Sequence, residues 1–269
     1  VILGGSQDLT IAQFNGYRKF EQLVNIASID ARFDLGMPEE AVTSTNWLGK
    51  IIMQQPNYLF NFSNIGYHTY FVGSASVDLM NKLFFDAYRV GQVRSDITEM
   101  EPVIRAADLL TFDLSAIRQS DAPGNSNPSP NGFTGEEACQ AMMYAGLNDR
   151  LTSLGIYEYD AMADHNDQTA HLVAQMIWYF IQGVSERKND FPAGNHAAYI
   201  TYRVASEFFG EELVFLKHKT SGRWWMEMPV VGKTNRLNRY NFLPCSHRDY
   251  QQACNNEMPD RFWQALQKL

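Results

Sequence analysis

Cysteine is scarce in this chain, with Cys139, Cys245 and Cys254 as its whole complement. An odd count without metal-ligand spacing excludes a disulfide framework and a thiolate metal site, and reads as reduced thiols in a cytoplasmic protein. Long apolar runs are missing as well: none approaches the roughly 20 residues that a membrane span needs, and no signal peptide opens the chain. A membrane is therefore not an expected partner. The net charge of −8 is spread along the chain, and no cluster of Lys and Arg forms a stripe that would track phosphates. Nucleic acid is excluded on that ground. An initiating Met is also absent. The chain opens on Val1 and a Gly4-Gly5 turn with nothing before them to serve as a neighbouring strand, so the expectation is a fold missing its N-terminal part.

What is present is ordinary for a globular protein. Of 269 residues, 45% are hydrophobic and 19% charged, which allows a sizeable core and argues against disorder. The chain is organised around one stretch, Ile29-Asp30-Ala31-Arg32-Phe33-Asp34. It puts two carboxylates and a guanidinium at the end of a short apolar run, Asn25 to Ile29, of the kind found in parallel strands buried on both faces. Two further apolar runs break into polar side chains in the same way, Val1 to Asp8 and Leu109 to Ser115. In open α/β sheets chemistry gathers where such strands end, so all three are expected to face one crevice.

The alternation of strands and helices predicts a three-layer αβα domain on a mainly parallel sheet. Leu9 to Asn25 carries apolar residues at helical spacing between the first two strands, and Leu35 to Trp47 is an irregular loop before a helix over Leu48 to Gln54. Strands are expected at Tyr58 to Phe62 and Tyr70 to Gly73, helices over Val77 to Tyr88 and Met100 to Ala107, and a strand at Leu109 to Leu114. Pro and Gly punctuate 121–132 as a loop, after which Thr134 and Glu137 have capping-box spacing ahead of a helix to about Ala145. A strand over Leu154 to Tyr159 and a long apolar helix over Gln168 to Gly183 complete a domain drawn as residues 1–190. From there the character changes. Leu213 to Lys217 and Trp224 to Met228 flank a Lys219-Thr220-Ser221-Gly222 turn as a β-hairpin, and a basic stretch, Lys233 to Arg239, follows. Residues 191–269 are read as an appendage packed on the domain, with Trp224-Trp225 in the hairpin core.

Gly4-Gly5-Ser6-Gln7, Asp30-Ala31-Arg32-Phe33-Asp34, Phe112-Asp113-Leu114-Ser115 and Ala122-Pro123-Gly124 together resemble the motif series of the ureohydrolase family, the arginases, agmatinases and formimidoylglutamases. That family carries G-G-D-H or G-G-G-H, then D-A-H-x-D, then S-x-D-x-D-x-x-D-P-x-x-A-P-G, on an α/β sheet that binds two manganese ions. The third motif is in full register here, with Asp113 and Ser115 on its first two Asp positions and Arg118-Gln119 on its D-P pair. Asn131 to Thr134 is similar to the family's G-G-L-T, and Ile156-Tyr157-Glu158 to the strand that brings a substrate-side Glu. Ser44-Thr45-Asn46 falls where the family's substrate loop lies. The resemblance covers 1–185, and the appendage is outside it.

Residue by residue, the resemblance implies six metal-ligand positions, occupied here by Gln7, Asp30, Arg32, Asp34, Asp113 and Ser115. Only the three aspartates are ligands of the family's type. An amide oxygen is weaker than a neutral imidazole, and a guanidinium stays protonated and cannot coordinate. The expectation is a site without manganese, in which Arg32 cross-links Asp30, Asp34 and Asp113 in place of the ions. Because the family takes its nucleophile from metal-activated water, the leading reading is a non-catalytic relative, with no catalytic residue assigned. Asn46 and Glu158 are its candidate ligand-binding residues, and its partner is a protein or a small cationic molecule. Two alternatives stay open: a manganese-dependent amidinohydrolase of formimidoylglutamase or arginase type with an altered metal site, and a binder of a cationic guanidino ligand. His68, His165 and His171 fall outside the motif positions and are read as ordinary histidines, and His218 and His247 are too scattered for a metal site. For assembly, the resemblance implies a homo-oligomer.

Overall fold

The computed structural model describes residues 1–192, 196–205, 212–229 and 240–268, so the basic stretch Lys233 to Arg239 lies outside the described residues. The chain divides into two compact units, 1–186 and 187–269. In the first, β1 (Ile2–Leu3), α1 (Leu9–Arg18), β2 (Val24–Ile29), α2 (Trp47–Ile52), β3 (Leu59–Tyr67), α3 (Ser74–Lys82) and β4 (Asp86–Arg89) come first. They are followed by α4 (Val90–Ser95), α5 (Met100–Arg105), β5 (Leu109–Asp113), α6 (Gly135–Leu147), β6 (Ser153–Tyr157) and α7 (Gln168–Ser185). The six strands form one sheet in the order β1-β6-β5-β2-β3-β4, parallel at every pairing.

The layering follows from strand parity. Successive strand residues point to opposite faces, and β2 is buried along its whole length because both of its faces are covered. Val24 and Ile26 join Phe14 of α1, Trp47, Leu48 and Ile51 of α2, Phe62 of β3 and Met80 of α3 in one cluster. Ala27 and Ile29 join Val103 and Ile104 of α5, Ala141 and Met142 of α6, and Leu172 and Met176 of α7 in the other. The chain is thus an α/β protein of three layers, as predicted. Thr134 and Glu137 close the predicted capping box, Glu137 N–H donating to Thr134 Oγ1 at 3.1 Å and Thr134 N–H to Glu137 Oε2 at 2.7 Å.

Two segments differ from expectation. Tyr70 to Gly73 is a turn, not a strand; its aromatic side chains pack as a ring cluster with His68, while the single strand β3 runs on to Tyr67. The helix expected over Val77 to Tyr88 stops at Lys82, because Phe84 takes a left-handed conformation (φ +55°) that no helix continues through. Asp86 to Arg89 then pairs with β3 as an edge strand.

Of the second unit, β7 (Tyr199–Ala205), β8 (Glu212–His218), β9 (Trp224–Glu227), β10 (Phe242–Cys245), α8 (His247–Cys254) and α9 (Asp260–Leu266) are described. β8 and β9 are the predicted hairpin, closed at Gly222 with φ +72°, and β7 and β10 extend it into an antiparallel sheet of four strands. Trp224 and Trp225 are both buried, on opposite faces of this sheet. All three cysteines are free thiols. Among the described residues no helix is long and apolar enough to cross a membrane.

One glycine in the first unit sets how tightly α2 seats. A Cβ on Gly49 would stand 1.9 Å from the carbonyl oxygen of Leu35, which belongs to the loop leaving Asp34. Backbone cannot yield as a side-chain tip does, so Gly49→Ala is expected to cost about 3 kcal/mol of stability. Equilibrium denaturation in urea measures it, and a cost within experimental error would show that the α2 seat is plastic.

Candidate functional site

Register brings the site together. Ile29 of β2 pairs with Phe112 of β5, so Asp30 and Asp113 emerge side by side from the carboxyl ends of the two central strands. Asp34 follows after a turn in which it adopts φ +50°, a conformation that Asp tolerates better than most residues. The start of α2 fastens it there: Leu48 N–H donates to the Asp34 carbonyl at 3.1 Å, and Trp47 Nε1–H donates to Asp34 Oδ2 at 3.1 Å. Carboxylate oxygens of Asp30, Asp34 and Asp113 all lie within 4.8 Å of one another. The three acids are buried, 1%, 7% and 8% exposed.

Each acid is oriented by a local donor. Arg32 N–H donates to Asp30 Oδ1 at 2.7 Å and Ser115 N–H to Asp113 Oδ1 at 2.6 Å, while Asp30 Oδ2 is buried with no hydrogen-bond partner. Burial raises the pKa of all three. At Asp30 the charge of Asp34 adds to it, against the bond from Arg32 N–H. At Asp113 the charge of Asp30 adds to it. Asp34 is pushed up to about 7 by burial, with the closeness of Asp30 opposing, the charge of Asp113 adding and the bond from Trp47 Nε1–H opposing. Like charges held this close in a buried site favour uptake of a proton. The cluster therefore takes up either protons or a cation.

The other predicted positions fall as follows. Gln7 is fully buried; its Nε2 donates to Thr111 Oγ1 at 3.2 Å and to Ser28 Oγ at 3.5 Å, leaving Oε1 without a partner. Ser115 is buried in the tight turn after Asp113. Glu158, half-buried, accepts Gln7 N–H at 2.8 Å and acts on Asp113 through its charge. Asn46 is a loop clasp: its Oδ1 accepts from Thr43 N–H at 2.8 Å and its Nδ2 donates to the Ala41 carbonyl at 2.7 Å. His68 is buried against Tyr70, and His165 and His171 are exposed; among the described residues no histidine joins the acid cluster.

Arg32 does not form the expected cross-link. Among the described residues no ion pair joins it to an acid, and its guanidinium lies over the ring of Phe71, 4.1 Å from the centroid. The chain bends at Ala31 and Arg32, and Arg32 alone between Asp30 and Asp34 is partly exposed. Its carbonyl is held by Asn64 Nδ2 at 2.7 Å. Phe71 and Trp47 are the functional neighbours that sequence reasoning missed, since neither stands in a motif. A small cavity of about 200 Å³ opens here, lined among others by Arg32, Asp34, Thr45, Phe71, Gly73 and Ser76.

The donor set fits one hard divalent cation. Three carboxylates, one with an orphaned buried oxygen, and the orphaned amide oxygen of Gln7 are the oxygen ligands that manganese or magnesium takes. It does not fit a second ion, because the remaining two positions offer a protonated guanidinium and a neutral hydroxyl.

The model of the arginase family matches residues 1–182. The chain belongs to the arginase family. It is 25% identical to formimidoylglutamase of Staphylococcus aureus over 188 residues, 67% of this chain and 60% of that protein. It is 26% identical to formimidoylglutamase of Vibrio vulnificus over 216 residues, 70% of this chain and 62% of that protein. The chain thus spans about three fifths of the length of these relatives. In fold it is similar to Trypanosoma cruzi formiminoglutamase, solved with manganese, at a TM-score of 0.63 and 17% identity over 69% of this chain and 65% of that one. Entamoeba histolytica arginase with L-ornithine gives 0.58 and 19% over 66% and 67%. This arginase-family chain keeps the family's sheet and places its acids at the carboxyl ends of that sheet's central strands.

Proposed function

We propose that this arginase-family chain is a formimidoylglutamase-like binding protein that holds a single divalent cation, manganese in the first instance, and does not hydrolyse amidines. The observation that carries the reading is the convergence of three buried carboxylates beside a guanidinium that cannot coordinate. Three acids and Arg32 sum to two negative charges, which one divalent ion neutralises and two would overshoot. The metal-free expectation gives way on this point, since an uncompensated buried acid cluster costs more than one holding an ion.

Asp30, Asp34 and Asp113 would hold the cation, with Gln7 Oε1 as the neutral donor. When bound, the cation supplies charge compensation and a Lewis-acid contact for a ligand oxygen. The chain's own donors do the rest. Arg32 N–H, Ser115 N–H and Trp47 Nε1–H each fix one carboxylate oxygen so that the opposite lone pairs face inward. With Arg32 and Ser115 at the other two positions, a second ion lacks the ligands it needs, and the two-ion activation of water that the family depends on is lost.

Metal counting on protein purified in excess manganese, together with urea- and formamide-release assays, tests this. One manganese per chain and no release above the blank is expected. Two ions with turnover would make the chain an amidinohydrolase, and no bound manganese would return the site to protons alone.

A further inference from the structure

Arg32 is half-buried at the mouth of the acid cluster, yet among the described residues it pairs with none of the acids. The Phe71 ring covers the guanidinium from one side, 4.1 Å from its central carbon, and among the described residues no acid takes up its N–H donors. The adjoining cavity of about 200 Å³ suits a small molecule rather than a polymer. Asp34 is part of its lining. Gly73 and Ser76 line it too, where the nine-residue α3 begins without a side-chain cap, so its N-terminus adds a favourable field for an anion. Thr45 and Ser76 add hydroxyls.

We infer that Arg32 makes this cavity a carboxylate-binding site, selecting small ligands whose carboxylate pairs with its guanidinium beside the cation held by the acid triad. This rests on the one-cation reading, because three uncompensated acids would repel an anion and a bound divalent ion removes that repulsion. A planar two-oxygen acceptor matches the planar donor fork of arginine, whereas a guanidino or ammonium ligand would meet it charge to charge. The residue at this position thereby acts as a specificity determinant of opposite sign to a metal ligand.

The experiment is calorimetric titration of the full manganese-loaded chain with butanoate and with its neutral isostere butanamide, alongside manganese titration of the same samples. Wild-type protein is expected to bind butanoate at least about ten-fold more tightly than butanamide, the worth of one charge-assisted contact. Arg32→Gln is expected to erase that preference while binding manganese several-fold more tightly, since a neighbouring positive charge is gone. Arg32→Lys, which keeps the charge without the fork, should retain part of the preference, and this distinguishes a ligand contact from a folding defect. Equal binding of the two probes to manganese-loaded wild type, or a preference that survives in Arg32→Gln, would overturn the carboxylate site alone. Failure of wild type to bind manganese would instead overturn the one-cation reading, and the carboxylate site with it.

Discussion

Asp34→Asn is expected to stabilise the cation-free protein near neutral pH while abolishing its cation binding. The substitution is close to isosteric, Asn tolerates the left-handed backbone that Asp34 adopts (φ +50°), and an amide oxygen still accepts from Trp47 Nε1–H. What changes is charge. A carboxyl raised from 3.8 to about 7 corresponds to an ionisation penalty on the order of 4 kcal/mol in the folded state, and Asn never incurs it. A gain of about 4 kcal/mol at roughly pH 8, measured by urea denaturation without metal, is therefore predicted. Manganese affinity should fall by more than about 100-fold, because even the outer partners of a metal ligand are worth roughly 10- to 100-fold. Activity-for-stability exchanges of this kind are usual where buried charge serves a site. A destabilised variant that still binds manganese would contradict both halves.

The second large effect is a pH dependence that manganese reverses. Asp30, Asp34 and Asp113 all have folded pKa values above the ordinary carboxylate value, so the folded state holds protons that the unfolded chain has already released. Their contribution to stability is complete below the unfolded value of 3.8 and is lost as pH rises; for Asp34 the loss ends at about 7. Cation binding needs the same groups ionised, so its contribution grows over the same range. Melting curves should show the metal-free protein losing several degrees between about pH 5 and pH 8. Added manganese should restore on the order of 5 to 10 degrees at about pH 8 and little at about pH 5. A manganese effect independent of pH would mean that the ion binds elsewhere.

Much of the first unit was legible because its central strands obey a simple rule. β2 and β5 carry apolar residues of both parities and end abruptly in acids, which marks both the buried parallel strand and the site at its end. The capping box of α6 is equally local. Edge elements were less readable: β4 is half-buried and short, β7 is mostly exposed, and β10 carries Pro244, so none shows the pattern of an interior strand. At the site, the identity of the acids could be read from spacing, but the direction of Arg32 could not. That depends on Phe71, which the fold brings in from the turn after β3. Asn46 shows the same limit, since a polar residue in a loop gives no sign of whether its amide faces a ligand or, as here, clasps its own backbone. Gln7 was informative only by register, and its orphaned oxygen becomes a ligand candidate only beside Asp30.

Anomalous scattering at the manganese edge, from crystals of the full chain grown with manganese, tests the central claim most directly. One peak bounded by Asp30, Asp34 and Asp113, with the Arg32 guanidinium still on Phe71, is the predicted result. Two peaks bridged by Asp30 and Asp113, or none among the acids, would contradict it.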